Sequence, residues 1–177
     1  MRDLRADEEN KVLNKLKFFI GDNVKEIVNK DRKLYLHKRR VILVNNTVAK
    51  AVSPIAINSL VFAGTIIGKF TKNDNFRLKI SCINLLAPFA IYKIWIKKSA
   101  EMNYLYGNNA LKSHIHRISD SVPLNAGVFV YSQNDIPLGF GVTSHKPEAY
   151  QELKGYHIVV IRQADNGEYV RHEHKIA

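Results

Sequence analysis

The feature that most constrains this chain is a break in charge at Lys98-Ser99-Ala100. Lys and Arg exceed Asp and Glu by one over residues 1–30, by five over residues 31–67 and by six over residues 68–98. From Ser99 to Ala177 the acids lead by one. Nearly all of the net charge of +11 is therefore carried by residues 31–98. A chain of 177 residues can form one large domain or two small ones, and the break favours two, over residues 1–96 and 97–177. A basic excess concentrated in one stretch attracts a polyanion, with RNA or DNA the first candidate.

Composition narrows the class further. Hydrophobic residues make up 46% of the chain, which suits a packed core rather than disorder. The one cysteine, Cys82, lies in an apolar run and reads as a small buried side chain, and it excludes an internal disulfide. The opening MRDLRADEENK carries four acids and no apolar core, unlike a secretory signal or a transit peptide. Residues 51–68 are weakly charged but interrupted by Pro54, Asn58, Ser59 and two glycines, too broken for a membrane span. A soluble intracellular protein with no membrane partner is expected, monomeric on its own.

Apolar spacing predicts a helix over residues 7–20, with Asp7 as N-cap, Val12, Leu13, Leu16, Phe19 and Ile20 on one face, and Gly21 as the stop. A shorter helix is expected over 22–29, strands over 34–37 and 41–45 joined through Lys38-Arg39-Arg40, and helices over 46–53 and 55–62 about Pro54. Residues 65–72 and 76–82 read as an antiparallel pair around the turn Asn73-Asp74-Asn75. Residues 92–97 alternate as a strand: Tyr92, Ile94 and Ile96 on one side, Lys93, Trp95 and Lys97 on the other. Beyond the break, a helix over 101–106 closes at Gly107. Five short β segments follow, over 111–118, 127–131, 138–143, 158–163 and 168–172, with Asp165-Asn166-Gly167 as a hairpin signal. The expected fold class is α+β: an N-terminal antiparallel sheet with helices, then a small, largely closed mixed β-barrel.

Motifs for turnover are missing. Gly64 and Gly68 lack the spacing of a phosphate-binding loop before Lys-Ser/Thr. Gly139-Phe140-Gly141 follows no βα turn and reads as a bent barrel strand. No nucleophile elbow occurs. Six of the seven histidines lie past the break, and the pairs His114/His116 and His172/His174 have the two-residue spacing that puts both rings on one face of a strand. Zinc or copper ligation would need further cysteines or a matched carboxylate pattern, so surface histidines are the preferred reading. Binding rather than catalysis is expected, with no cofactor and no metal.

RNA binding asks for cations to neutralise phosphates and aromatic faces to stack bases. Lys69, Phe70, Lys72, Phe76, Arg77 and Lys79 interleave the two, as do Tyr92, Lys93, Trp95, Lys97 and Lys98. Phe70 and Phe76 alternate with exposed lysines and read as core. Trp95 shares its face with Lys93 and Lys97 and is the better stacking candidate. Arg77, Lys79, Lys93 and Lys97 are expected to form part of one exposed basic surface.

Five stretches carry a resemblance: GKFTKNDNFRLKI (68–80), LAPFAIYKIWIKK (86–98), YLYGNNALKS (104–113), GVFVYSQNDIPLGFGV (127–142) and QADNGEYVRHE (163–173). They resemble the Nip-seven family of large-subunit ribosome biogenesis factors. The resemblance implies an N-terminal α+β domain followed by a PUA domain, the small barrel found in pseudouridine synthases and archaeosine transglycosylases. It implies a non-enzymatic role in pre-rRNA processing and 60S assembly, with pre-rRNA, the pre-60S particle and other assembly factors as partners, in the nucleus and nucleolus. Two alternatives stand beside it: an accessory module of an RNA-modifying enzyme, and a PUA-containing translation factor bound to small subunits.

The candidate RNA-contacting residues are Lys69, Lys72, Arg77, Lys79, Lys93, Trp95, Lys97, Lys98, Lys112 and Arg162. RNA-binding PUA domains present a basic face, whereas residues 157–163 of this chain read HIVVIRQ with Arg162 as the one cation. That apolar version resembles the eukaryotic branch of the family. It implies a protein partner there, with His157, Val159 and Ile161 as the candidate contacts.

Overall fold

The computed structural model describes residues 1–172 except Ile57, Phe62, 146–148 and Gln151. Contacts divide the chain into two compact units, one over Met1–Leu85 and one from Leu86 onward.

The first unit is built on a five-stranded antiparallel sheet in chain order. Its strands are β1 (Arg2–Asp3), β2 (Arg32–His37), β3 (Arg40–Asn45), β4 (Thr65–Phe70) and β5 (Phe76–Leu78). Helix α1 (Ala6–Ile20) buries Val12, Leu16, Phe19 and Ile20, four positions on one face at helical spacing, and packs against β5. Its N-cap is Arg5 rather than the expected Asp7. Glu8, three residues on, accepts from the Arg5 backbone N–H at 2.9 Å and holds the Arg2 guanidinium through two bonds of 2.7 and 2.9 Å. Helix α2 (Val24–Ile27) and helix α3 (Asn46–Val52) complete the unit. The helix expected over 55–62 does not form: its described residues are turns and irregular backbone. The strand expected over 76–82 stops at Leu78, because residues 80–82 coil into a 3-10 turn that buries Ile80 and Cys82. A short helix, α4 (Ile83–Leu86), follows.

The second unit is a six-stranded mixed sheet. Its strands are β6 (Tyr92–Ile96), β7 (Ala110–Leu111), β8 (Ile115–Ile118), β9 (Gly127–Tyr131), β10 (Pro137–Thr143) and β11 (Ile158–Asp165), in the order β7-β11-β10-β9-β6-β8. The two end strands, β7 and β8, are joined by the 3-10 turn Lys112–His114. Because the ends of the sheet are consecutive in the chain, the sheet is rolled into a nearly closed barrel. Its interior is filled by Ile94, Ile96, Val128, Val130, Val159 and Val160, with Tyr104 from helix α5 (Lys98–Leu105).

Three expectations change here. Strand β6 precedes the charge break yet belongs to the second sheet, since it pairs parallel with β9 and antiparallel with β8. The division by contacts falls between Leu85 and Leu86. Charge follows surface composition, whereas a fold boundary follows pairing, and the two need not coincide. Residues 168–171 form helix α6 (Glu168–Arg171) instead of a strand. Asp165-Asn166-Gly167 therefore ends β11 and opens a helix, with no hairpin.

Strand β11 is also irregular. Its pairing slips against β10 at Phe140/Gly141 and against β7 between Ile158 and Val160. A Cβ on Gly141 would stand 2.3 Å from the Ile161 carbonyl oxygen, so glycine is what lets the two strands close up there.

Candidate nucleic-acid interface

In the first unit two hairpin tips meet. Strands β2 and β3 are joined by two residues, Lys38 and Arg39, with φ of 46° and 68°. Left-handed backbone at both central positions is the type I′ hairpin pattern, which glycine and asparagine favour. Placing Lys and Arg there costs on the order of 1 kcal/mol per residue. Arg39 then ties this tip to the β4–β5 turn. Its carbonyl accepts the Phe70 N–H at 2.9 Å, its Nη2 donates to the Thr71 carbonyl, and its guanidinium lies 3.8 Å from Asp74.

Beside these tips runs a row of cations. Arg40 on β3 pairs with Lys69 on β4, and Lys69 pairs with Arg77 on β5. Paired residues share a face, so three positive side chains lie side by side on adjacent strands, each about 5 Å from the next. Lys69 and Arg77 are exposed, and Lys72 is exposed on the neighbouring turn. Lys79, half-buried, follows Arg77 on the same face. No acid stands in the row. The four expected cations of this unit are thus brought together, and Lys38, Arg39 and Arg40 join them. The signal that could have found these three was a basic tripeptide at a strand-to-strand junction.

The second unit treats its candidates differently. Lys93 and Trp95 stand on the outer barrel wall, on β6 of the second sheet, whereas Arg77 stands on β5 of the first. Trp95 is only 8% exposed. Its register neighbours cover it: Arg117 on β8 lies 3.8 Å above the indole centroid, and Tyr131 on β9 stacks beside it at 5.9 Å and 29°. The indole N–H donates to Asp135 at 2.6 Å. Trp95 is therefore not an open base-stacking face, which corrects the expectation. Burial, then the Asp135 charge, pushes the Tyr131 hydroxyl up to about 12. Lys97 donates to the Ser113 carbonyl at 2.8 Å, Lys112 lies 5.7 Å over the Tyr150 ring, and Lys98 is exposed at the start of α5.

Arg162 is not a surface cation either. It donates to the Gly107 carbonyl at 2.7 Å, to Asp165 at 2.7 Å and to Glu168 at 3.2 Å. Asp165, 0% exposed, also accepts two bonds from Arg171 at 2.9 and 3.1 Å. The arginine is spent on neutralising a buried carboxylate that docks α6 against the barrel.

Of the apolar residues on β11, Val159 is 0% exposed, as is Val160, while Ile158 is 38% and Ile161 49% exposed. The slips in pairing break strict alternation, which is why two adjacent valines both face the core. Val159 thus drops out as a partner contact and Ile161 keeps the exposure a contact requires. His157 is half-buried, stacked on Tyr156 at 4.6 Å.

His114 lies in the 3-10 turn before β8, so it does not share a strand face with exposed His116. Its Nδ1 accepts the Leu111 N–H at 3.2 Å, and burial lowers its pKa. His174 falls outside the described residues. Among the described residues no three His, Cys, Asp or Glu side chains gather as a metal site, and no helix is long and apolar enough to cross a membrane. Cys82 is buried, and desolvation pushes its thiol up to about 12, far from a reactive thiolate.

Known proteins match this architecture unit by unit. The family description "NIP7/UPF0113, pre-PUA domain" matches residues 1–80, and "UPF0113 PUA domain" matches residues 92–174. The chain is 44% identical over 176 residues to the 60S ribosome subunit biogenesis protein NIP7 homolog of Xenopus tropicalis, covering 98% of each. It is equally identical to the 60S ribosome subunit biogenesis protein NIP7 of Saccharomyces cerevisiae, covering 98% of this chain and 97% of that one. Among solved structures, a PUA-domain protein of Aeropyrum pernix K1 superposes with a TM-score of 0.63 at 13% identity, over 96% of this chain and 87% of that one. A conserved PUA-domain protein of Thermoplasma acidophilum gives 0.60 at 10% identity, over 96% and 95%. These two share the fold. With relatives above 40% identity along its length and both domain descriptions matched in order, the chain belongs to the NIP7 family.

Proposed function

We propose that this protein is a non-catalytic assembly factor of the large ribosomal subunit that contacts precursor rRNA through the cationic hairpin tips of its first unit. The NIP7 relatives bear the name of 60S biogenesis proteins, which supplies the process. The observation that carries the RNA contact is the register row Arg40–Lys69–Arg77, flanked by Lys38, Arg39 and Lys72. Like charges set directly opposite destabilise a sheet, and a polyanion laid across them removes that repulsion. The work belongs on pre-60S particles in the nucleolus. Ile161, with His157 four residues before it, is offered to a protein partner on the particle, and its exposure supports that role.

The test is binding of single-stranded rRNA segments by the full chain and by the Lys69→Glu/Arg77→Glu variant, beside sedimentation of each with large-subunit precursors. Binding should fall at least tenfold in the variant, at unchanged fold. A variant that binds RNA and joins the precursors as the parent does would overturn the assignment.

A further inference from the structure

Arg117 holds an ordered set of donors that the fold does not use. It is exposed on β8, directly across from Trp95 on β6, with its guanidinium 3.8 Å above the indole centroid. Among the described residues no carboxylate pairs with it and no acceptor takes its N–H groups. The platform beneath it is fixed in steps. The indole N–H is held by Asp135 at 2.6 Å, the indole stacks on Tyr131, and the Tyr131 hydroxyl donates to the Ala87 carbonyl at 2.7 Å. Lys93 lies over that same Tyr131 ring, 5.6 Å from its centroid.

A guanidinium held 3.8 Å over an aromatic ring has already given up part of the freedom that binding would otherwise have to remove. The indole covers the group on one side, and the exposure of Arg117 leaves its outer face to solvent. A nucleobase can stack on that outer face and leave its phosphate to a nearby ammonium. A carboxylate would use the edge alone and leave the plane unmatched. The exposed, planar guanidinium over the indole, with a second cation two residues along β6, therefore favours a nucleotide over an acidic peptide. We propose that Arg117, seated on Trp95, is a base-stacking subsite for single-stranded RNA, with Lys93 taking the adjoining phosphate. This rests on the RNA-contact reading above and adds a second contact, on the barrel.

Trp95 is the chain's one tryptophan, so the subsite carries its own reporter. The full chain is titrated with a fluorophore-labelled single-stranded RNA and with an abasic strand of equal length. Anisotropy of the strand reports all binding, and Trp95 emission reports the subsite. The base-bearing strand should change Trp95 emission in step with anisotropy, and the abasic strand should not. Arg117→Lys keeps the charge and removes the plane. It should weaken the base-bearing strand by about tenfold, leave the abasic strand unaffected, and keep the same salt slope. Binding with silent Trp95 emission, or Arg117→Lys binding as the parent does, overturns the subsite and leaves the RNA-contact reading standing. A Trp95 response to polyglutamate but not to RNA also overturns it, in favour of an acidic protein segment. No anisotropy change with either strand at low salt removes the RNA-contact reading itself, and the subsite with it.

Discussion

Lys69 and Arg77 stand directly opposite each other on adjacent antiparallel strands, both exposed, with Arg40 on the other side of Lys69. A sheet selected for stability alone would place an acid in that row. Arg77→Glu should therefore stabilise the free protein, by about 0.2–1 kcal/mol, while weakening RNA binding. Paired thermal melts and RNA titrations check this, and a loss of stability would show that the row is not self-repelling. With about four phosphates held, the log–log salt slope of the parent should lie near −3 for single-stranded RNA, and Arg77→Glu should make it shallower.

Acid should act at two separate points. The two bonds from Arg2, and then the Arg5 backbone N–H, hold the Glu8 carboxyl down at about 2, below the 4.5 of a free glutamate. A depressed carboxylate stabilises the fold fully above the unfolded value, and that part is lost as pH falls from about 4.5 toward 2. Because Arg2 is half exposed, solvent screening keeps the term to roughly 1–2 kcal/mol. His37 is buried, with Nε2 2.9 Å from the Leu60 carbonyl, and burial lowers its pKa below 6.5. Its neutral form donates that proton. As pH falls below 6.5 the unfolded chain takes up a proton first, and stability declines from there. Urea unfolding across pH 7.5 to 3 should show both declines. Glu8→Gln should remove the lower one and His37→Gln the upper.

Neighbouring positions on β11 should respond in opposite ways. Val159→Asp buries an unpaired carboxylate in the barrel and should cost about 3 kcal/mol or more. Ile161→Asp, on an exposed site, should cost less than about 1 kcal/mol. It should nevertheless lower sedimentation of the tagged protein with large-subunit precursors. A folded Ile161→Asp variant found in those particles at the parental level would remove Ile161 from the partner surface.

The Asp165 cluster should be structural. Removing one arginine from a buried carboxylate leaves charge uncompensated, so Arg171→Met should cost about 3 kcal/mol. Replacing Asp165, Arg162 and Arg171 together by apolar residues should cost less than the single change. Chemical denaturation of both variants checks the order. The triple variant should bind RNA as the parent does, since Arg162 faces inward.

Helix α1 and strands β9 and β10 were legible because their cues are local. The face of Val12, Leu16, Phe19 and Ile20 repeats at helical spacing, and the β segments sit between turn residues, so neighbours in sequence carry the pattern. The cations of residues 69–79 were legible too, since strand alternation alone sends Lys69 and Arg77 outward. Tertiary structure decided the rest. Alternation also sends Trp95 outward, but Arg117 and Tyr131, which cover it, reach it only through sheet pairing. The same holds for Arg162, drawn to Asp165 once β11 ends and α6 begins, and for Val159, turned inward by slips in pairing with β7 and β10. A chain's own periodicity determines which side of a strand a residue occupies. Whether that side meets solvent depends on which distant strand, at which register, comes to lie beside it.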